Sequence, residues 1–320
     1  MIITVTLNAA IDKTLAVPNF RLGRRHRAVE QTSMAGGKGV NVARALKSLG
    51  QPVIATGVAG GPNGTRIIEQ LTEEAILNDF VRIREESRMS TAVVDPTSGE
   101  QTEINERGPL VTEAELELFV DKLLYLAKGA EVCVFSGSLP RGVESDVYAR
   151  LVGELRKLGV MTVLDSEGDA LVLGTRAEPT VVSPNELEAE ELVGHEFSDA
   201  EDRLTGLNEI AALGAREVVM TSATGCLALL GEGERHLYRA TLDPLEPVSK
   251  VGSGDAFVAG FVASRYGGKP DEECVRFAVA CGAESTQHFG AGVLDPREVE
   301  RLVPEVRVET LDASAAEASH

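Results

Sequence analysis

The stretch Val251-Gly252-Ser253-Gly254-Asp255-Ala256-Phe257-Val258-Ala259-Gly260 puts two glycines and a carboxylate ahead of an apolar run that continues to about Tyr266. The run predicts a helix, and glycines at its start leave backbone amides free to hold an anion such as a phosphoryl group. Asp255 then lies in the first turn, where a carboxylate is placed to accept a proton from a hydroxyl. The residues leave a second interpretation open, in which Asp255 only stabilises the positive end of the helix.

A second glycine-rich stretch, Ala35-Gly36-Gly37-Lys38-Gly39-Val40-Asn41, opens another predicted helix. A helix start of this kind favours an anion or a hydroxyl-rich ligand. It is not a Walker A loop, because Gly39 follows Lys38 where that motif has Ser or Thr. The alternative is a turn that only packs the helix against a strand.

Short apolar runs alternate with amphipathic helical stretches along most of the chain. This alternation predicts a mostly parallel sheet with helices on both faces. A capping box, Thr112 with Glu115, marks one helix start. The predicted strands are Ile2–Leu7, Val53–Val58, Val132–Phe135, Met161–Leu164, Thr180–Val182 and Glu217–Met220, and the other predicted helices span 41–49, 144–158 and 199–213.

Two segments, about 13–34 and 88–106, lack the long helical patterns of the rest of the chain and are typical of extended, partly polar strands. They predict a small sheet beside the main domain, suited to a lid or a dimer surface. An antiparallel edge of the main sheet is the alternative. The first segment carries a basic cluster that includes Arg25 and Arg27, and Arg88 begins the second, so these cations either bind a substrate phosphate or form a solvated surface.

Residues Asn185 and Glu188 lie three apart at the start of a predicted helix. An amide oxygen and a carboxylate on one face suit Mg²⁺ bound through waters, whereas the same spacing is also that of a capping box.

The chain is acidic, with 31 Lys and Arg against 50 Asp and Glu. Such a surface repels nucleic acids and anionic lipid, so we expect neither partner. No apolar run reaches the length of a membrane span, and no signal segment opens the chain, which predicts a cytoplasmic protein. The four cysteines lack C-x-x-C spacing and are predicted to be small buried side chains, without zinc.

Five ordered motifs together resemble the PfkB/ribokinase family, in particular its branch of 1-phosphofructokinases and tagatose-6-phosphate kinases. Two of the motifs are the glycine stretches described above. The other three are Thr6-Leu7-Asn8-Ala9-Ala10-Ile11-Asp12, Thr102-Glu103-Ile104-Asn105-Glu106 and Ser136-Gly137-Ser138-Leu139-Pro140-Arg141-Gly142. The resemblance implies one α/β domain over residues 1–302, a ribokinase-like three-layer α/β/α sandwich with a small β-sheet lid and a homodimer formed through the lids. Residues 303–320 are then a C-terminal tail whose end we expect to be disordered.

The resemblance also implies an ATP-dependent, Mg²⁺-dependent kinase for a ketohexose monophosphate, with fructose 1-phosphate favoured as substrate. Tagatose 6-phosphate and fructose 6-phosphate are the alternatives, and a sugar-phosphate sensor without activity is a remoter one. The implied catalytic residues are Asp255 with the anion hole Gly252, Ser253 and Gly254. The implied substrate-binding residues are Asp12, Arg25, Arg27, Gly37, Lys38, Asn41, Arg88 and Ser138; the nucleotide-binding residues are Asn185, Thr221, Gly225, Gly252, Gly254, Ala280 and Gly292; and Asn185 with Glu188 serves the metal.

Four features depart from the usual pattern of this branch. Ser183 replaces a lysine before Pro184-Asn185, Ala9 replaces a proline, and a valine at 93 or 94 replaces a lysine of the lid. The loop Thr221-Ser222-Ala223-Thr224-Gly225 is short and carries Ala223 in place of a glycine. These departures bear on nucleotide affinity and sugar preference rather than on the reaction type.

Overall fold

The computed structural model describes residues 1–231 and 233–311. The strands are β1 (Ile2–Thr6), β2 (Ala10–Ala16), β3 (Glu30–Gly36), β4 (Val53–Gly60), β5 (Leu77–Ile83), β6 (Arg88–Val94), β7 (Gln101–Asn105), β8 (Val132–Ser136), β9 (Met161–Asp165), β10 (Val181–Val182), β11 (Glu217–Ser222), β12 (Gly225–Leu230), β13 (His236–Thr241) and β14 (Arg307–Leu311). The helices are α1 (Lys38–Ser48), α2 (Gly61–Glu73), α3 (Glu113–Ala127), α4 (Val147–Lys157), α5 (Gly168–Arg176), α6 (Glu186–Val193), α7 (Ala200–Leu213), α8 (Ser253–Tyr266), α9 (Asp271–Ser285) and α10 (Pro296–Leu302), followed by a 3₁₀ turn, Val303–Glu305.

A large sheet of ten strands runs in the order β14-β13-β12-β11-β10-β9-β8-β1-β4-β5. The strands from β11 to β5 pair in parallel, and β12, β13 and β14 extend this sheet in antiparallel fashion. The carboxyl ends of parallel strands meet at one edge of a sheet, so loops that follow these strands converge there.

Helices cover both faces of the large sheet, because neighbouring residues of its central strands point to opposite sides. In β8, Val134 belongs to one hydrophobic core and Phe135 to the other. The first core contains side chains of α1, α2, α8, α9 and α10, and the second contains those of α3 to α7. The predicted three-layer α/β/α sandwich is therefore confirmed.

The small sheet consists of β3-β2-β6-β7 and is separate from the large one. Strand β2 pairs with β3 in antiparallel and with β6 in parallel fashion, and β7 completes the sheet beside β6. The two segments predicted to pair do so, and the alternative of an edge on the main sheet is wrong. Since β3 ends at Gly36, the small sheet leads directly into the glycine stretch that begins α1.

All six predicted strands form, with ends shifted by at most two residues, and the Thr112–Glu115 capping box is present at α3. Strand β5, whose Asn78 and Asp79 are poor strand formers, was not predicted, and neither were the β12–β13 hairpin and β14. The predicted domain ended at residue 302, whereas β14 pairs with β13 in the large sheet. The predicted disorder concerns residues 312–320, which lie outside the described residues.

The four cysteines are buried and form no disulfide bond, as predicted for cysteines that act as small apolar side chains. Over residues 1–231 and 233–311, no helix has the length and apolar character needed to cross a bilayer.

Candidate active site

The two glycine stretches, distant in sequence, open onto the same cavity of about 720 Å³. Its lining includes Gly37, Lys38 and Asn41 at the start of α1 and Gly252 to Asp255 at the start of α8. Asp12 of β2 lines it from the small sheet. We call it the carboxylate cavity, because Asp12 and Asp255 both face it.

Asp255 is held at the centre of the site by Asn41. The Asn41 amide donates a hydrogen bond of 2.9 Å from Nδ2 to Asp255 Oδ2, and both residues are buried, at 4% and 5% exposure. Among the described residues, no hydrogen bond engages the other carboxylate oxygen, Oδ1, so this oxygen remains available as an acceptor. This arrangement suits a general base better than a residue that only stabilises a helix end.

Gly252 makes the turn in front of α8 that the sequence predicts to bind an anion. It caps the helix in a left-handed conformation with φ 79°, which a glycine adopts without strain. A Cβ here would lie 2.8 Å from the Cα of Ala291, so the backbone approach also requires glycine. Among the described residues, the N–H groups of Gly254 and Asp255 find no acceptor within the chain, so both remain available to an anion.

The pKa of Asp255 is raised from 3.8 to about 7, mainly by burial and in addition by the nearby Asp165 carboxylate, while Lys38 and the Asn41 hydrogen bond act in the opposite direction. A carboxyl group with a pKa near the working pH is both basic enough to take a proton and ionised in a large fraction of molecules. Asp255 therefore has the electrostatic setting of a catalytic base.

Asp12 lies beside this pair, under the glycine stretch. Its Oδ2 accepts a hydrogen bond of 3.3 Å from the Gly37 N–H, and a Cβ on Gly36 would lie only 2.0 Å from the same oxygen. Burial raises the pKa of Asp12, against the effects of Gly37, Asn41 and the Arg88 charge. The carboxylates of Asp12 and Asp255 and the amide of Asn41 thus form a polar wall suited to the hydroxyl groups of a sugar.

Arg44, one turn beyond Asn41 in α1, determines which way the Asn41 amide points. Its Nη1 donates to Asn41 Oδ1 at 3.2 Å and to the carbonyl of Ala291 at 3.1 Å, and its charge is balanced by Glu74 at 2.6 Å. With its oxygen engaged by Arg44, Asn41 presents its NH₂ group to Asp255. Arg44 is a positioning residue that the sequence analysis did not identify.

Lys38 pairs with carboxylates rather than standing free over the cavity. Its Nζ lies 2.8 Å from Asp165 Oδ1 and 3.8 Å from Glu188 Oε1. Burial lowers the pKa of Lys38, but Asp165 and Glu188 outweigh burial and raise it above the ordinary value. Lys38 is therefore a charged bridge from the start of α1 to the end of β9 and the first turn of α6, with its side chain still partly exposed to the cavity.

Asn185 and Glu188 form the capping box of α6. Glu188 N donates to Asn185 Oδ1 at 2.9 Å, and Asn185 N donates to Glu188 Oε2 at 2.8 Å. The capping interpretation is confirmed. The cap engages Asn185 Oδ1 and Glu188 Oε2, and Glu188 Oε1 takes no part in it. Within the described ranges, no group of three His, Cys, Asp or Glu side chains forms a metal cage.

The remaining predicted substrate residues divide into two groups. Arg88 and Ser138 line the carboxylate cavity; Arg88 Nε donates to the carbonyl of Asn8, and Asn8 Nδ2 donates to Ser138 Oγ, both at 3.2 Å. Arg25 and Arg27 lie in the exposed loop between β2 and β3 and do not line this cavity. Pairing of the two lid segments thus places Arg88 at the carboxylate cavity but leaves the basic cluster with Arg25 and Arg27 outside it.

A second cavity of about 470 Å³ adjoins the first on the far side of the Gly252 turn. Thr221 and Gly225, from the β11–β12 hairpin, line it, and Asn185 lines the carboxylate cavity; the role of these three residues in nucleotide binding stays a prediction. We call it the apolar cavity, because most of its wall is apolar. The apolar side chains are Ala223, Leu242, Pro244, Leu245, Pro247, Phe257, Val279 and Ala283.

Two predicted nucleotide residues lie elsewhere. Ala280 is fully buried in the first core, and its helix neighbours Val279 and Ala283 line the apolar cavity instead. Gly292 packs against the backbone of Asn41, where a Cβ would lie 2.4 Å from the carbonyl oxygen, so its glycine serves this close approach.

Several residues of the site were missed by the sequence analysis, notably Asp165, Arg107 and Lys250. Asp165 ends β9, and a carboxylate at the carboxyl end of a parallel strand was a usable signal. Arg107 and Lys250 carry no such signal, because only the meeting of the small sheet with the α8 turn places them at the cavity.

Comparisons with known proteins agree with this geometry. Residues 4–297 match the model of the pfkB family of carbohydrate kinases. Tagatose-6-phosphate kinase of Staphylococcus epidermidis is 33% identical over 310 residues, which are 96% of this chain and 99% of that protein. A structure described as a possible 1-phosphofructokinase from Thermotoga maritima superposes with a TM-score of 0.89 at 26% identity, covering 98% of this chain and 100% of the other. Phosphofructokinase-2 of Escherichia coli, in complex with substrates and products, gives 0.87 at 28% identity over 95% of this chain and 98% of the other.

The fold and the site therefore define a phosphotransferase that uses an alcohol group as acceptor. Within that class, the chain belongs to the pfkB family of carbohydrate kinases.

Proposed function

We propose that the protein transfers the γ-phosphoryl group of ATP to a hydroxyl group of a ketohexose monophosphate, with Asp255 as the base. The observation that carries this proposal is the meeting of Asp255, Asn41 and Asp12 in one cavity, next to the open amides of Gly254 and Asp255. A base, a hydroxyl-binding wall and an anion site at one point are the parts that phosphoryl transfer requires.

The two cavities suggest the orientation of the two substrates. The apolar cavity is a slot for a purine ring, and its wall reaches the α8 turn through Ser253 and Gly254. The sugar lies in the carboxylate cavity, with its hydroxyl groups against Asp12 and Asn41. Its own phosphate lies toward Arg88 and Arg107, the arginines that line this cavity.

The reaction consists of one bond formed and one broken. The acceptor oxygen forms a bond to the γ-phosphorus, the bond from that phosphorus to the bridging oxygen breaks, and ADP leaves with the electron pair. The hydroxyl proton passes to Asp255 Oδ1, while the Gly254 and Asp255 amides hold the charge on the transferring group. Asn41 keeps Asp255 oriented throughout.

A magnesium ion fits this site when the nucleotide phosphates supply most of its ligands. Glu188 Oε1 takes no part in the α6 cap and lies beside Lys38, where it would hold the ion through a water molecule. When bound, the ion neutralises phosphate charge.

Fructose 1-phosphate is the substrate that we favour, and tagatose 6-phosphate is the second candidate because the relative at 33% identity carries that name. The experiment is a comparison of kcat/KM for fructose 1-phosphate, fructose 6-phosphate and tagatose 6-phosphate with ATP and Mg²⁺, read as ADP release. We expect kcat/KM for one of them to exceed that for ribose by more than ~10²-fold, since a sugar without a phosphate leaves Arg88 and Arg107 without their anion. Equal rates with unphosphorylated sugars would contradict the proposal.

We further propose that two copies pair through their small sheets. The loop between β2 and β3 exposes Leu22 at 91% and Val29 at 71%, which is unusual for large apolar side chains in one short segment. The same loop carries Arg25 and Arg27, which line neither the carboxylate cavity nor the apolar cavity of the single copy. A second copy is the arrangement in which these arginines come to serve a substrate phosphate.

A further inference from the structure

The carboxylate and apolar cavities meet at a seam of four shared residues. These are Thr221, Lys250, Ser253 and Gly254. If the phosphoryl donor occupies one cavity and the acceptor the other, the phosphate chain of the donor has to cross this seam. Of the four residues, only Lys250 carries a charge.

Lys250 differs in charge from the other residues around the seam. Among the described residues that line the apolar cavity, Lys250 is the single basic side chain, and Asp243 is acidic. On the other side, Asp255 faces the same passage, and Lys38 is already paired with Asp165 at 2.8 Å. Among the described residues at the seam, the cation that no carboxylate pairs is therefore the ammonium group of Lys250, and the phosphate chain of a nucleoside triphosphate would meet it there.

The backbone of Lys250 is fixed, whereas its side chain is available. Its carbonyl accepts a hydrogen bond of 3.3 Å from Ser253 N at the start of α8, and its own N–H donates to Gln101 Oε1 of the small sheet at 3.3 Å. The side chain is exposed, and no carboxylate of residues 1–231 or 233–311 lies within ion-pair distance of its ammonium group.

We propose that Lys250 is a further catalytic residue, which binds the phosphate chain of the nucleotide at the seam and neutralises charge that develops on the bridging oxygen as the γ-phosphoryl group leaves. It donates hydrogen bonds and transfers no proton, since Asp255 takes the proton of the acceptor. This inference rests on the proposed kinase function and adds to it a residue that the two glycine stretches do not contain.

The test compares Lys250→Met with Lys250→Arg and with Lys47→Met. Lys47 is exposed in the last turn of α1 and lines neither cavity, so it controls for the loss of one positive charge. We expect Lys250→Met to lower kcat/KM for ATP by ~10²-fold, as does removal of one donor to a transition-state anion, with KM for the sugar phosphate within about twofold. Lys250→Arg is expected to recover most of the loss.

A binding measurement separates this inference from the proposed function. Calorimetric titration with ADP and with AMP is expected to show ADP affinity falling by about 10-fold in Lys250→Met and AMP affinity changing little, since the lost contact is with the outer phosphates. Unchanged ADP affinity together with unchanged kcat/KM would overturn the role of Lys250, as would a loss confined to the KM of the sugar phosphate. A wild-type protein that binds ADP but phosphorylates no sugar would refute the proposed function while the titration still tests the lysine.

Discussion

Asn41 and Asp255 lie 214 positions apart in the chain and are joined by a buried hydrogen bond of 2.9 Å. Asn41 stands in the first turn of α1 and Asp255 in the first turn of α8, so the contact brings the starts of two helices to one point. Arg44 engages the oxygen of the Asn41 amide and thereby fixes its NH₂ group toward the carboxylate. Asp255 is thus held by a chain of contacts that reaches from Glu74 through Arg44 and Asn41.

Replacing the base tests the mechanism most directly. Asp255→Asn keeps the shape of the side chain and removes its basicity, so we expect kcat to fall by ~10²–10⁴-fold. Nucleotide affinity is expected to change little, because the amides of the α8 turn remain. Steady-state kinetics and a nucleotide titration measure the two quantities, and a variant with the wild-type kcat would remove Asp255 from the mechanism.

The pH dependence follows from the raised pKa of Asp255. The base acts as a carboxylate, so kcat/KM is expected to rise with pH up to about 7 and to level off above it. The residual activity of Asp255→Asn should not show this rise with pH. The comparison therefore distinguishes ionisation of Asp255 from ionisation of the substrates, which would affect both proteins.

The same pKa shift makes a prediction about stability. The folded state holds the Asp255 proton between about pH 4 and about 7, where the unfolded chain releases it, so this group costs stability as pH rises through that window. The free energy of unfolding of Asp255→Asn, relative to wild type, is therefore expected to increase over the same range. A difference that does not change with pH would mean that the carboxyl group titrates normally in the fold.

Arg88 is expected to act on the sugar phosphate. Arg88→Met removes a charge that lines the carboxylate cavity, and KM for the sugar phosphate should rise ~10–100-fold, the worth of charge-assisted hydrogen bonds. Because Arg88 also bonds the carbonyls of Asn8 and Glu106, the thermal midpoint has to be measured alongside. Exposed Arg82→Met provides the charge control, and a fall in kcat without a rise in KM would assign Arg88 a structural role.

The dual use of Glu188 can be tested with a matched pair of capping boxes. Glu188→Gln keeps a cap acceptor and removes the charge near Lys38, so we expect stability to stay within about 0.5 kcal/mol and the Mg²⁺ concentration for half-maximal activity to rise. Glu115→Gln makes the same change at the corresponding position of α3, away from the cavity, and should leave the Mg²⁺ requirement unaltered. An identical Mg²⁺ response in both variants would restrict Glu188 to the cap.

Pairing through the small sheets predicts a concentration-dependent dimer. Leu22→Asp places a charge where the proposed interface buries an apolar side chain, and we expect it to give monomers in sedimentation velocity. Leu118→Asp, on the exposed face of α3, is the control. A wild-type protein that sediments as a monomer at micromolar concentration would contradict the pairing.

Local patterns predicted much of the fold. Alternating apolar runs gave the parallel strands, and the capping boxes at Thr112 and Asn185 formed as their spacing indicated, because hydrogen bonds of this kind involve residues only three positions apart. Strand β5 escaped prediction because the large sheet, rather than the propensity of Asn78 and Asp79, holds it in place.

The amino-acid sequence by itself determined the two glycine turns and the helices behind them, and it was enough to propose Asp255 as the base, since each depends on a short run of neighbouring residues. Only the tertiary structure decided that Asp255 faces Asn41 and Asp12, that Lys38 is balanced by Asp165, and that Arg25 and Arg27 stay outside the cavity. These relations depend on how strands order themselves in a sheet and where the small sheet docks. They follow from burial of apolar surface summed over the whole chain, which no short segment encodes.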